Sequence, residues 1–156
     1  MSKFDMLENV TKKILVVAAI GCVWLQSQAS DLNWGTDLSK ALAQAKAEKK
    51  LVFLDFTGSD WCPSCILFHD EVAKSPKFAS YAKTNLVLVE VDFPNNKPQS
   101  DALKSANAAL QKKYDVEGFP TLILLNADGK EIGRQLGYES GNPDAFIAKL
   151  EKFGKQ

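Results

Sequence analysis

Leu51-Val52-Phe53-Leu54-Asp55-Phe56, Thr57-Gly58-Ser59-Asp60 and Trp61-Cys62-Pro63-Ser64-Cys65 follow one another without a gap, and the reading of this stretch decides the fold. The apolar run reads as a buried central strand, and the polar tetrapeptide after it as the turn out of that strand. Helix then begins at the motif. Proline is favoured at the first helical position, where its missing N–H would have had no partner, so Pro63 places Cys62 at the helix N-cap. Unpaired backbone N–H groups and the positive end of the helix dipole stabilise a thiolate there, and the thiolate is the species that attacks disulfides. Cys65, three residues on, shares the helix face within disulfide reach but lies one turn deeper. The spacing predicts a redox-active dithiol, with Cys62 as nucleophile and Cys65 as resolving thiol.

A lone Cys-x-x-Cys is also half of a four-ligand zinc site. The other ligands of that kind are Cys22 and His69. Cys22 lies in a segment expected to be removed, and His69 alone does not complete a tetrahedral set. Ile66, not histidine, follows Cys65, which excludes covalent haem attachment. A structural disulfide without redox activity is the plain alternative.

The chain has 156 residues, 46% of them hydrophobic, with nine Phe, enough for one well-packed domain. Lys plus Arg balance Asp plus Glu at 19 each, so neither a basic face for nucleic acid nor an acidic tail is implied. No solenoid-period repeat and no low-complexity segment occurs.

Residues 1–29 differ in kind from the rest of the chain. Lys3, Lys12 and Lys13 precede an apolar stretch, Ile14 to Leu25, and Ser27-Gln28-Ala29 puts small residues at the two positions a signal peptidase reads. This predicts a signal peptide over 1–29, a mature domain over 30–156 and a periplasmic or secreted location. The apolar stretch is well short of the roughly eighteen residues that span a bilayer. Ala19-Ile20-Gly21-Cys22 offers a second reading, a lipoprotein anchored through Cys22. Cleavage after Ala29 leaves Cys62 and Cys65 as the only cysteines, which suits an oxidising compartment.

Beyond the motif, Thr36 or Asp37 caps a helix to about Lys50, with Leu38, Ala41, Leu42 and Ala45 as its apolar stripe. The motif helix is expected to run to about Lys74, where Ser75-Pro76 breaks it, and a second piece to end near Lys83. Leu86 to Val91 is a strand buried on both faces. Asp92 to Ser100 is a loop, and a helix from Ser100 or Asp101 reaches about Tyr114. Thr121 to Leu125 and Lys130 to Leu136 form a hairpin about Asn126-Ala127-Asp128-Gly129. Asn142-Pro143 opens a last helix whose Phe146, Ile147 and Leu150 face the sheet. The order is αβαβαββα.

With these elements placed, the chain resembles the thioredoxin-fold family over residues 32 to 153. Three blocks carry the resemblance: Leu54-Asp55-Phe56 with Trp61-Cys62-Pro63-Ser64-Cys65, then Val116-Glu117-Gly118-Phe119-Pro120-Thr121, and the closing hairpin with its helix. The lead-in Phe56-Thr57-Gly58-Ser59-Asp60-Trp61-Cys62 is similar to secreted bacterial members more than to the compact cytosolic ones. The resemblance implies an α/β fold, a three-layer α/β/α sandwich about a mixed four-stranded sheet. It implies that Pro120 is a cis-proline facing the dithiol, exposing the backbone of Phe119 to an extended substrate strand. A trans-proline opening a strand is the alternative. Trp61 is implied to line the substrate groove, its alternative being ordinary packing. Asp55 matches the family's buried carboxylate beneath the resolving cysteine, with a raised pKa that suits proton exchange with Cys65. One extra residue separates it from Cys62, and Gly58 is expected to absorb it as a bulged turn.

His69, four residues after Cys65 and seven after Cys62, has a spacing that allows a place near the active-site face of the helix. The commoner reading is a solvated helix-surface residue without a catalytic role, and Glu71 and Lys74 read as solvent-facing charge. Phe93 to Gln99 is either a partner contact or idle surface. The expected function is that of a monomeric thiol-disulfide oxidoreductase that reduces or isomerises protein disulfides, needs no cofactor and exchanges electrons with a membrane donor or thiol partner. The alternative is a binding module or metal carrier using the two cysteines, against which the Pro120 ring would crowd a metal on the sulfurs.

Overall fold

The computed structural model describes residues 32–155; the expected signal segment and Cys22 lie outside them. The sheet has five strands, not four: β1 (Trp34–Gly35), β2 (Leu51–Thr57), β3 (Leu86–Asp92), β4 (Thr121–Leu125) and β5 (Glu131–Leu136), in the order β1-β3-β2-β4-β5. The added strand is β1, which pairs parallel to β3 through Trp34↔Leu88 and Gly35↔Val89. Two residues are too few to show the period-two alternation by which strands are read. The other pairings are mixed as expected, β2 parallel to β3 and antiparallel to β4, and β4 antiparallel to β5.

The helices start where side chains can cap them. Asp37 accepts from Lys40 N at 3.1 Å to open α1 (Leu38–Glu48), which ends at Lys49 in the left-handed conformation. The motif helix α2 (Pro63–Phe68) does not continue as regular α-helix to Lys74. It widens into a π-turn over His69–Ala73, closed by Lys74 N donating to His69 O. Ser75 and Pro76 then open α3 (Pro76–Asn85), Ser100 caps α4 (Asp101–Lys113), and Asn142 with Pro143 opens α5 (Pro143–Gly154).

Strand parity sorts the interior into two cores. On one face Val52, Leu54 and Phe56 pack with Val87, Val89, Val91 and the stripe of α1. On the other, Phe53, Leu86, Leu88, Leu122 and Leu124 pack against Phe68, Val72, Phe78, Phe146 and Leu150 from α2, the π-turn, α3 and α5. Asp55 has the parity of Phe53, so it lies on the motif-helix face. Glu90 stands directly opposite it on β3, and Asp92 opposite Thr57. The motif face is therefore apolar at the start of the central strands and carboxylate-rich at their ends. Gly133, past a bulge in β5, lets Phe153 of α5 close onto the sheet; a Cβ there would stand 2.2 Å from the ring.

Candidate active site

β2 delivers the chain to the motif through a turn built on Gly58. Trp61 N and Cys62 N both donate to Gly58 O, at 3.2 and 2.9 Å, and Gly58 N lies 3.5 Å from Cys65 Sγ. The turn requires glycine, because a Cβ would stand 2.5 Å from the Trp61 indole. Cys62 is the N-cap of α2: its Sγ accepts from Cys65 N at 3.3 Å, its carbonyl accepts from Cys65 N and Ile66 N, and Pro63 follows at the first helical position. Cys62 and Cys65 are joined as a disulfide, with their Cα atoms 5.3 Å apart. Cys65 has no exposure. Cys62 retains 5%.

Trp61 is 43% exposed, and its Nε1 donates to Phe93 O at 2.7 Å. Phe93 stacks on Phe119 at 5.1 Å between ring centroids, and Trp61 meets Phe119 edge-on at 6.0 Å. Phe119 thus joins an aromatic cluster with Trp61, the residue before Cys62, and the Phe119–Pro120 peptide is cis. Phe93 was not among the expected site residues; an aromatic residue between the end of a strand and Pro94 was the available signal.

The loop after β3 is not idle surface. The Asp60 carboxylate accepts from Asn95, Asn96 and Lys97 N at 2.9, 2.7 and 3.2 Å, Ser59 N and Oγ donate to Asp92, and Lys97 Nζ donates to Ser59 Oγ. The backbone N–H groups hold the Asp60 carboxyl below its ordinary range, so it stays anionic beside the motif.

Two sequence expectations are corrected. His69 is not a solvated surface residue: its Nε2 is 2.8 Å from Asp55 Oδ2, its side chain is 21% exposed, and its ring lies 5.8 Å from that of Trp34. Its N–H still bonds to Cys65 O, so the four-residue spacing keeps it on the side of the helix that carries the resolving sulfur, and Trp34 of β1, which the sequence did not mark as a strand, covers the ring. Glu71 is not free surface charge either. Its Oε2 accepts from Tyr138 OH at 2.8 Å and Gly141 N at 3.1 Å, pinning the motif helix to the segment before α5. Burial, reinforced by Glu71, pushes the Tyr138 phenol up to about 12, so it remains a donor. Lys74 is exposed as expected and pairs with Asp70.

Asp55 is fully buried. Burial pushes its carboxyl up, the hydrogen bond and charge of His69 oppose this, and the net direction is up. Among the described residues no hydrogen bond joins it to Cys65 and Oδ1 has no partner. Among the described residues no group of three or more His, Cys, Asp or Glu side chains is placed to hold a metal ion. A metal carried here would have the two sulfurs as its protein ligands. A cleft of about 710 Å³ lined by Asp37, Lys40, Gln44, Ala79, Lys83 and Leu86 includes none of these groups.

A cysteine pair at a helix N-terminus, just past the end of a central strand of a sheet covered on both faces, is the site of a thiol-disulfide oxidoreductase. The chain belongs to the thioredoxin-like domain family, whose profile matches residues 38–154. Over 123 residues it is 37% identical to the disulfide bond reductase DsbH of Chlamydia pneumoniae, an overlap covering 79% of this chain and 73% of that protein. It is 38% identical over 114 residues to the thiol:disulfide interchange protein DsbD of Klebsiella pneumoniae, spanning only 17% of that longer protein. Among solved structures, a DsbH oxidoreductase superposes with a TM-score of 0.75 at 35% identity, covering 90% of this chain and 98% of the other. The reduced C-terminal domain of Neisseria meningitidis DsbD superposes at 0.54 with 28% identity, covering 74% and 92%.

Proposed function

We propose that the protein is an exported disulfide reductase. The Cys62 thiolate attacks a protein disulfide, a mixed disulfide forms as one substrate thiol departs, and Cys65 resolves it, leaving Cys62 and Cys65 bridged and the second substrate thiol free. A membrane-borne thiol donor then reduces the bridge. The asymmetry of the two cysteines carries the reading: Cys62 Sγ caps the helix and its residue retains 5% exposure, whereas Cys65 is wholly buried. Trp61, Phe119 and Pro120 receive the substrate chain beside Cys62, and Asp55 exchanges the Cys65 proton.

The direction depends on the groups around Cys62. A strong oxidant must hold its reduced thiolate far below the ordinary thiol pKa. Here the intervening residues are Pro63 and Ser64, which add no positive charge, and Asp60 contributes a nearby negative one. Both raise the cost of the thiolate and favour the disulfide. The similarity to a protein named a disulfide bond reductase supports the same direction. Equilibration against glutathione buffers is expected to place the potential below about −180 mV, toward the thioredoxin range of about −270 mV. A value near about −120 mV would make the protein a disulfide donor instead.

Export rests on residues 1–29. Intact-mass measurement of the exported protein is expected to show a chain beginning at Ser30, whereas a lipid-modified Cys22 or an uncut N-terminus would replace this with membrane attachment.

A further inference from the structure

Asp55 uses its two oxygens differently. Oδ2 is bonded to His69 Nε2, while Oδ1 is buried without a partner among the described residues. A buried acceptor left without a donor is destabilising, and beside a redox pair a catalytic role is one physical reason to keep it. Cys65 and His69 are four residues apart on one helical segment, and β2 meets that segment at both. Gly58 N lies at Cys65 Sγ, and Asp55, three residues earlier on the same chain, lies at His69. The carboxylate thus sits under the helix that carries the resolving sulfur, linked to an imidazole that still reaches solvent.

The geometry points to His69 as a positioning residue for the resolving step: through its bond to Asp55 it keeps that carboxylate able to take the Cys65 proton and returns a proton to solvent. The inference rests on the dithiol reading above. In the mixed disulfide the Cys65 thiol gives its proton to Asp55 Oδ1, and the sulfur electron pair forms the bond to Cys62. The bond from Cys62 to the substrate sulfur breaks, and its pair leaves on the substrate thiolate. Asp55 is then neutral and no longer holds an imidazolium, so His69 releases a proton to water from its other ring nitrogen. The departing thiolate takes one up from water.

The surrounding charges agree with this. Burial pulls the imidazole down, but the hydrogen bond and charge of Asp55, with Glu90 behind it, more than offset that, and Lys74 opposes them weakly. Asp92 on β3 adds to the negative charge at Asp55, and Trp34 of β1 covers the ring without charge. Because His69 pulls the Asp55 carboxyl down, removing it raises that carboxyl further. Its basic form then appears only at higher pH.

His69 is the only histidine in the chain, so its ring proton signals need no assignment by mutation. Titrated by NMR in the full chain, they are expected to give different midpoints in the dithiol and disulfide forms. One midpoint for both forms overturns the inference. In stopped-flow experiments Cys62 is loaded with thionitrobenzoate as a mixed disulfide and release of the chromophore by Cys65 is followed against pH. His69→Gln, which retains a donor for Asp55 but does not titrate, is expected to slow release at pH 7 by about tenfold or more and to move the profile to higher pH. Loading of Cys62 should be unchanged, and Asp55→Asn in the His69→Gln background should add little further loss. Unaltered release, or equal slowing of loading and release, overturns the proposal. Failure of the wild-type chain to load at Cys62 removes the dithiol reading and this inference with it.

Discussion

Cys62→Ser is expected to abolish disulfide reduction, while Cys65→Ser leaves the first attack intact and accumulates mixed disulfides that are not released. The effects differ because the two sulfurs differ. Only Cys62 Sγ occupies the helix N-cap, where the N–H of Cys65 points at it and where some surface remains open to a partner. Loss of the nucleophile leaves no comparable thiolate, since Cys65 is fully enclosed. Loss of the resolving thiol removes the group whose attack frees the substrate. Gel-shift analysis of protein adducts, with and without reductant, separates the two outcomes. Equal adduct yields from both variants would show that the sulfurs are interchangeable and would reject the assigned roles.

Phe53→Ala is expected to cost about 3–5 kcal/mol, the usual range for deleting a fully buried aromatic ring. Phe53 has no exposure and stands at the centre of the motif-face core. Its ring centroid lies 6.0 to 6.4 Å from those of Trp34, Phe68, Phe78 and Phe146. These neighbours come from β1, the motif helix, α3 and α5, so no single element can shift to fill the void. A domain with a total stability of about 5–15 kcal/mol loses a large share of it. Urea unfolding of the reduced and oxidised forms measures the loss, with Leu136→Ala, at a residue 67% exposed, as the reference for a near-silent change. A loss below about 1.5 kcal/mol would show that the aromatic cluster repacks freely.

Much of the architecture was legible from short segments. Asp37, Ser75, Ser100 and Asn142 announce helix starts through bonds to backbone three residues away, and Pro63, Pro76 and Pro143 mark first helical positions. The hairpin about Asn126 to Gly129 is local in the same way, with Asn126 Oδ1 accepting from Asp128 and Lys130 N. The motif itself is a three-residue spacing on a helix. Interactions of this range depend on the nearest backbone alone, so residue types in order suffice to read them.

The sequence by itself determined the strand-turn-helix around Cys62 and Cys65, the hairpin, the family resemblance and hence the dithiol chemistry. Only the tertiary structure decided the fifth strand, the loop bound to Asp60 and Trp61, the attachment of Glu71 to Tyr138 and the partner of Asp55. Each of these joins residues far apart in the chain, from fourteen positions for His69 and Asp55 to sixty-seven for Glu71 and Tyr138. A polar side chain carries no mark of which distant group it will meet. That is set by strand register and by how the motif helix lies on the sheet, which together bring a histidine read as surface onto a buried carboxylate.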